Sequence, residues 1–191
     1  AARAGESGDI RPLVAEAQLL RDAGRYAEAF AFLANALEMQ PDQPDILYET
    51  ALAAEKLGYV DLVERHLRRL IALKPDSAQA YNALGYSLAD RNLRLDEAAQ
   101  LIDKALSLMP DDPFILDSKG WLLFRQGKPA AALEALQKAY AQKSDPEIAA
   151  HIGEVLWVLG RSDEALVVWR EAAKVHPTNE MLAATIKRFV P

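Results

Sequence analysis

PDDPFILDSKGWLLFRQGKP, residues 110–129, and KSDPEIAAHIGEVLWVLGRS, residues 143–162, decide the fold. Placed one under the other at an offset of 33, they match Asp112 with Asp145, Pro113 with Pro146, Gly120 with Gly153 and Gly127 with Gly160. Each stretch reads as one helix. An aspartate stands where it can cap the first free N–H groups. The proline after it sits in the first turn, where its missing N–H costs nothing. A glycine able to take the left-handed conformation stops the helix. Gly120 and Gly153, inside the apolar run, mark places where another helix must come close. The same marks extend outward. Pro41 and Pro75 lie 34 apart, Pro75 and Pro110 35 apart, Gly24 and Gly58 34 apart, and Gly85 and Gly120 35 apart.

A period near 34 resembles that of the tetratricopeptide repeat, a helix–turn–helix unit. The turn inside each pair is Ala23-Gly24-Arg25-Tyr26, Leu57-Gly58-Tyr59, Gln126-Gly127-Lys128-Pro129 and Leu159-Gly160-Arg161-Ser162. The third unit has Asp90-Arg91-Asn92-Leu93 instead, with Asn92 as the residue next best suited to the left-handed region. Ala17 and Ala51 take the place of the close-crossing glycine in the first two units. Alanines recur on the second helices at Ala29, Ala98, Ala132 and Ala165, and seven residues later at Ala36, Ala105, Ala139 and Ala172. Pro41, Pro75, Pro110 and Pro177 close four units, and Ser144 stands at the fourth joint. The expected fold is therefore all-α: an α-α superhelix of five repeats at about 11–41, 44–75, 78–110, 113–144 and 146–177. A C-terminal capping helix falls within 178–191, with Met181, Leu182, Ile186 and Phe189 on its apolar face, and residues 1–10 form a disordered tail.

Chemistry is sparse. There are no cysteines, so disulfides, thiolate metal sites and a cysteine nucleophile are excluded. The formal charge of -6 disfavours a phosphate backbone as partner. His66, His151 and His176 lie in different units without metal-ligand spacing, and read as isolated surface or boundary histidines. Asp96-Glu97 and Asp163-Glu164 open second helices, where acidic side chains suit the helix dipole. Arg65, Arg68 and Arg69 read as a solvated outer face offset by Asp61 and Glu64. No phosphate-binding glycine loop and no nucleophile elbow occur. The expectation is a protein that is not an enzyme, with no cofactor and no metal.

In the family that the repeat resembles, first helices line a concave groove and second helices form the convex side. On each first helix, the inward stripe includes the positions three before and one and four after the small crossing residue. That gives Tyr48, Leu52 and Glu55 in unit two; Asn82, Tyr86 and Ala89 in unit three; Asp117, Trp121 and Phe124 in unit four, with Phe114 one turn earlier; and Ala150, Glu154 and Trp157 in unit five. The expected partner-binding groove is Tyr48, Asn82, Tyr86, Phe114, Asp117, Trp121, Phe124, Arg125, Glu154 and Trp157, with the polar members fixing register. Aromatic residues at exposed positions are enriched in binding hot spots. The competing reading has the rings packed between neighbouring helices. Trp121, Phe124 and Trp157 are expected at the centre of the groove, and Trp169, on a second helix, in the core. Val14, Gln18 and Leu52 stand where carboxylate-gripping members of the family carry a basic–amide set, so that clamp is not expected.

Three stretches, 81–90, 112–121 and 145–157, resemble the C-terminal repeats of Gram-negative outer-membrane tetratricopeptide lipoproteins. That resemblance implies an adaptor facing the periplasm that brings a carboxyl-terminal processing protease to its substrates. The chain starts at Ala1 and carries no lipidated cysteine, so it reads as a fragment or mature form without its own membrane anchor. A second expectation is self-association, if Leu13, Leu19 or Leu20 of the first helix lies uncovered.

Overall fold

The computed structural model describes residues 9–190; most of the expected disordered tail, residues 1–8, lies outside the described residues. Among the described residues there are eleven α-helices and no strand. They are α1 (Arg11–Asp22), α2 (Tyr26–Met39), α3 (Pro44–Lys56), α4 (Val60–Leu73), α5 (Ala78–Asp90), α6 (Leu95–Leu108), α7 (Pro113–Arg125), α8 (Pro129–Gln142), α9 (Pro146–Val158), α10 (Ser162–Val175) and α11 (Glu180–Phe189). They fall into two compact units, divided between Ala80 and Tyr81.

The first helices α7 and α9 start on side-chain caps. Asp112 Oδ1 accepts from the N–H groups of Phe114 and Ile115 at 2.9 and 3.0 Å, and Asp145 Oδ1 from that of Glu147 at 2.9 Å. Asn179 caps α11 in the same way, at 2.8 Å to the N–H of Leu182. Second helices such as α2 and α10 start directly from the glycine turn without a side-chain cap. Their first turns carry an ion pair instead, Arg25 with Glu28 and Arg161 with Glu164. The turn glycines Gly24, Gly58, Gly127 and Gly160 have φ between 71° and 76°, which only glycine adopts without strain. The third turn reaches the same reversal with two left-handed residues, Asn92 (φ 55°) and Arg94 (φ 42°). Sequence spacing identified Asn92 but not Arg94; the longer turn needs a second reversal before α6 can start.

Residues 9–80 bury Ala17, Ala29, Leu33, Ala36, Ile46 and Ala53 in one cluster. Alanine at four of those places lets the helices approach closely. Fully buried Leu33 contributes about 1.5–3 kcal/mol relative to exposure. Residues 81–190 pack around Leu136, Ile152, Val155, Leu156 and Trp169. The crossing glycines are as tight as their spacing implies. A Cβ on Gly85 would lie 2.7 Å from Ile102, one on Gly120 2.6 Å from Leu136, and one on Gly153 2.0 Å from Trp169 Nε1. Trp169 lies in the core, 1% exposed, its Nε1 donating to the Ala150 carbonyl at 3.3 Å.

Helix α11 takes the place of a next first helix. Arg188 stands 34 residues after Glu154 and pairs with it. Phe189 lies against Trp157 and Trp169, ring centroids 5.7 and 5.5 Å away. Lys187 falls where Gly153 lies one period earlier, and it is exposed.

Candidate functional site

Within residues 81–190 the inward stripes of α5, α7 and α9 form one wall. Its aromatic members divide by accessibility. Tyr86, Phe124 and Trp157 are half-buried, with part of each ring facing solvent. Phe124 leans on Trp121 at 5.2 Å between centroids, and Trp157 on Trp169 at 5.9 Å. Both rings are thus braced from behind while keeping an open edge. Phe114 is 44% exposed, with the Lys143 ammonium 4.2 Å from its ring centre.

Trp121 corrects the expectation of an exposed anchor. It is only 5% exposed. Its Nε1–H donates to Asp90 Oδ1 at 3.0 Å, and its ring stacks on the His151 imidazole at 4.2 Å and 21°. The reason lies in its neighbours: His151 of the next first helix lies over the ring, and Asp90 of the preceding one accepts its N–H. Asp117 is also not a polar edge. It is buried, and its Oδ1 lies 2.8 Å from His151 Nδ1. His151 is no surface histidine but 2% exposed, between Trp121, Tyr86 and Asp117. Burial opposes its charged form, but the Asp117 carboxylate, aided by Glu147 and Glu154, outweighs that and holds its pKa above the ordinary histidine value.

The other expected polar members are scattered. Glu154 is taken by Arg188. The Arg125 guanidinium lies 6.0 Å from the centre of the Trp121 ring. Asn82 is half-buried, and its Oδ1 makes no hydrogen bond, nor does His151 Nε2.

Tyr48 belongs to residues 9–80 and is half-buried there. Its neighbour Glu49 is buried, accepting from Gln18 Nε2 at 2.8 Å with Arg21 Nη1 3.4 Å away. Glu49 stands two residues before Ala51, and His151 two before Gly153. In the second and fifth repeats this position thus holds a buried polar residue, and each bonds back to the preceding first helix. A signal was present in the sequence: His151 is flanked by Ile148, Ile152 and Val155 on a face that is otherwise apolar. Outside the wall, Arg68 pairs with Glu64 and Arg69 with Asp42, consistent with a solvated face. Among the described residues no group of three or more metal-ligating side chains converges, and no helix is long and apolar enough to cross a membrane.

The tetratricopeptide repeat model matches residues 20–85 in one form and residues 64–113 and 118–180 in another. The TPR repeat-containing protein PA4667 of Pseudomonas aeruginosa is 44% identical over 145 residues, 76% of this chain. The chain spans about a quarter of that relative, 25% of its length. Among solved structures, the TPR protein TTC0263 of Thermus thermophilus superposes with a TM-score of 0.83 at 24% identity, covering 95% of this chain and 99% of that one. PilF of Pseudomonas aeruginosa gives 0.67 at 20% identity, covering 95% and 91%. These likenesses show the fold, an all-α solenoid of helix pairs. With the repeat model matched from residue 20 to residue 180, the chain belongs to the tetratricopeptide repeat family.

Proposed function

We propose that the chain is a non-catalytic adaptor module, and that it holds its partner protein against the wall formed by α5, α7 and α9. Tetratricopeptide repeats generally mediate protein–protein interaction, and the carrying observation is the braced, half-open aromatic set Tyr86, Phe124 and Trp157. Rings held by packing lose little freedom on binding, so they can contribute most of their contact energy. Phe114, with Lys143 beside it, widens the surface at the start of α7.

The proposed partner is a carboxyl-terminal processing protease at the periplasmic side of the outer membrane. Its support is the likeness of residues 81–157 to the repeats of outer-membrane lipoproteins, together with the 44% identity to a longer repeat protein of a Gram-negative bacterium. Surface plasmon resonance with the purified protease tests it. Binding should weaken by about 2 kcal/mol in Trp157→Ala. No binding by the unaltered chain sinks the protease assignment; binding indifferent to Tyr86, Phe124 and Trp157 sinks the surface.

A second reading, self-association, is favoured by one observation: Leu19 on α1 is 70% exposed. Light scattering over a concentration series, with Leu19→Ser alongside, separates the two. A molar mass that rises in the unaltered chain and not in the variant supports assembly.

A further inference from the structure

A buried ionisable pair inside a protein-binding wall is costly unless both charges are well paired. The Asp117–His151 pair lies where three first helices meet. His151 belongs to α9 and bonds Asp117 of α7 at 2.8 Å. Its ring stacks on Trp121, also of α7, whose Nε1–H donates to Asp90 at the end of α5. One connected chain, Asp90–Trp121–His151–Asp117, therefore ties α5, α7 and α9 together, all within residues 81–190.

We propose that this chain is a proton-operated lock: with His151 charged the three helices are held as one rigid wall, and loss of the proton loosens it. The inference concerns the wall itself and holds whichever partner it binds. Four features support it. The carboxylate of Asp117 attracts an imidazolium more strongly than a neutral ring across the same 2.8 Å. The Trp121 face is attractive to a stacked cation. Asp117 faces it from α7, with Arg125 beyond the Trp121 ring. Tyr86 faces it from α5 with an uncharged ring. Glu147 and Glu154 stand one turn either side on α9, and Arg188 of α11 pairs with Glu154. The buried residues of α8 and α10 are alanine, leucine and tryptophan. The surrounding charge is thus predominantly negative, in keeping with a histidine pKa held above its ordinary value despite burial.

The sign follows from linkage. A histidine whose folded pKa lies above its unfolded one stabilises the fold below the unfolded value, about 6.5, and loses that contribution as pH rises through the folded value. His66 acts oppositely: burial first, then Arg65, push its pKa down. The comparison is therefore between variants, not between pH values alone.

The test is a proton NMR titration of the three histidines in the full chain, with thermal melts at pH 6 and pH 8.5. The His151 resonance should titrate above the ordinary histidine value. The melting temperature of the unaltered chain should fall between the two pH values, relative to that of Asp117→Asn, by about 3–5 °C for each tenfold tightening of the proton on folding. His151→Gln should show the same loss of pH response. The titration needs no variant and so survives any that fails to fold. A His151 titration at or below the ordinary value overturns the lock. So does a melting-temperature difference that is the same in Asp117→Asn as in the unaltered chain.

Discussion

At the residue scale, Trp121 and Trp157 carry the same side chain at neighbouring stripe positions with different roles. Trp121 is covered by α9 and hydrogen-bonded, whereas Trp157 keeps an open edge. Trp121→Ala should therefore destabilise the fold by about 3–5 kcal/mol, because it opens a cavity and leaves Asp90 and His151 without their ring. Urea unfolding followed by circular dichroism checks this; an unchanged midpoint would contradict its burial. Phe124→Ala, which removes a partly exposed ring, should cost less in the same experiment. Gly120→Leu should cost about 1–3 kcal/mol by overpacking, since even the first added carbon meets Leu136 at 2.6 Å. That glycine was legible from spacing alone, because the small residue recurs with the repeat. The burial of Trp121 was not, because an inward stripe position is open or covered according to the side chain on the next helix. His151 supplies that cover; its apolar flanks Ile148, Ile152 and Val155 signalled its burial, but not which ring it would lie over.

At the element scale, each first helix depends on a local cap and on its neighbours' bulk. Asp112→Ala removes an acceptor for two N–H groups of α7 and should cost about 0.5–2 kcal/mol. Denaturant titration checks the value, and Asp112→Asn should recover most of it because the amide oxygen can still accept. Caps were legible because Asp-Pro before an apolar run has one reading. The third turn was only half legible: Asn92 announces a left-handed residue, while nothing about Arg94 does. There the backbone conformation is imposed by the helices on either side. In α11, the apolar positions announced a helix that covers the last pair.

At the scale of the whole molecule, repeats couple mainly to their neighbours, so damage should stay local. Hydrogen exchange on Gly120→Leu should show lost protection around α7 to α9, with residues 9–80 keeping theirs. Uniform loss along the chain would contradict that local coupling. Period, helix order and family could be read from proline and glycine spacing across the 191 residues. The partner surface could be read only as a stripe; which rings stay open depends on contacts between helices about 34 residues apart. On the proposed function, the first-helix wall of residues 81–190, not the second-helix face, meets the partner. A photo-crosslinking amino acid placed at Phe124, or at exposed Val167 on α10, tests it in the intact cell envelope. A discrete crosslinked protein is expected from position 124 and none from 167. A crosslink formed from 167 and absent from 124 would contradict it.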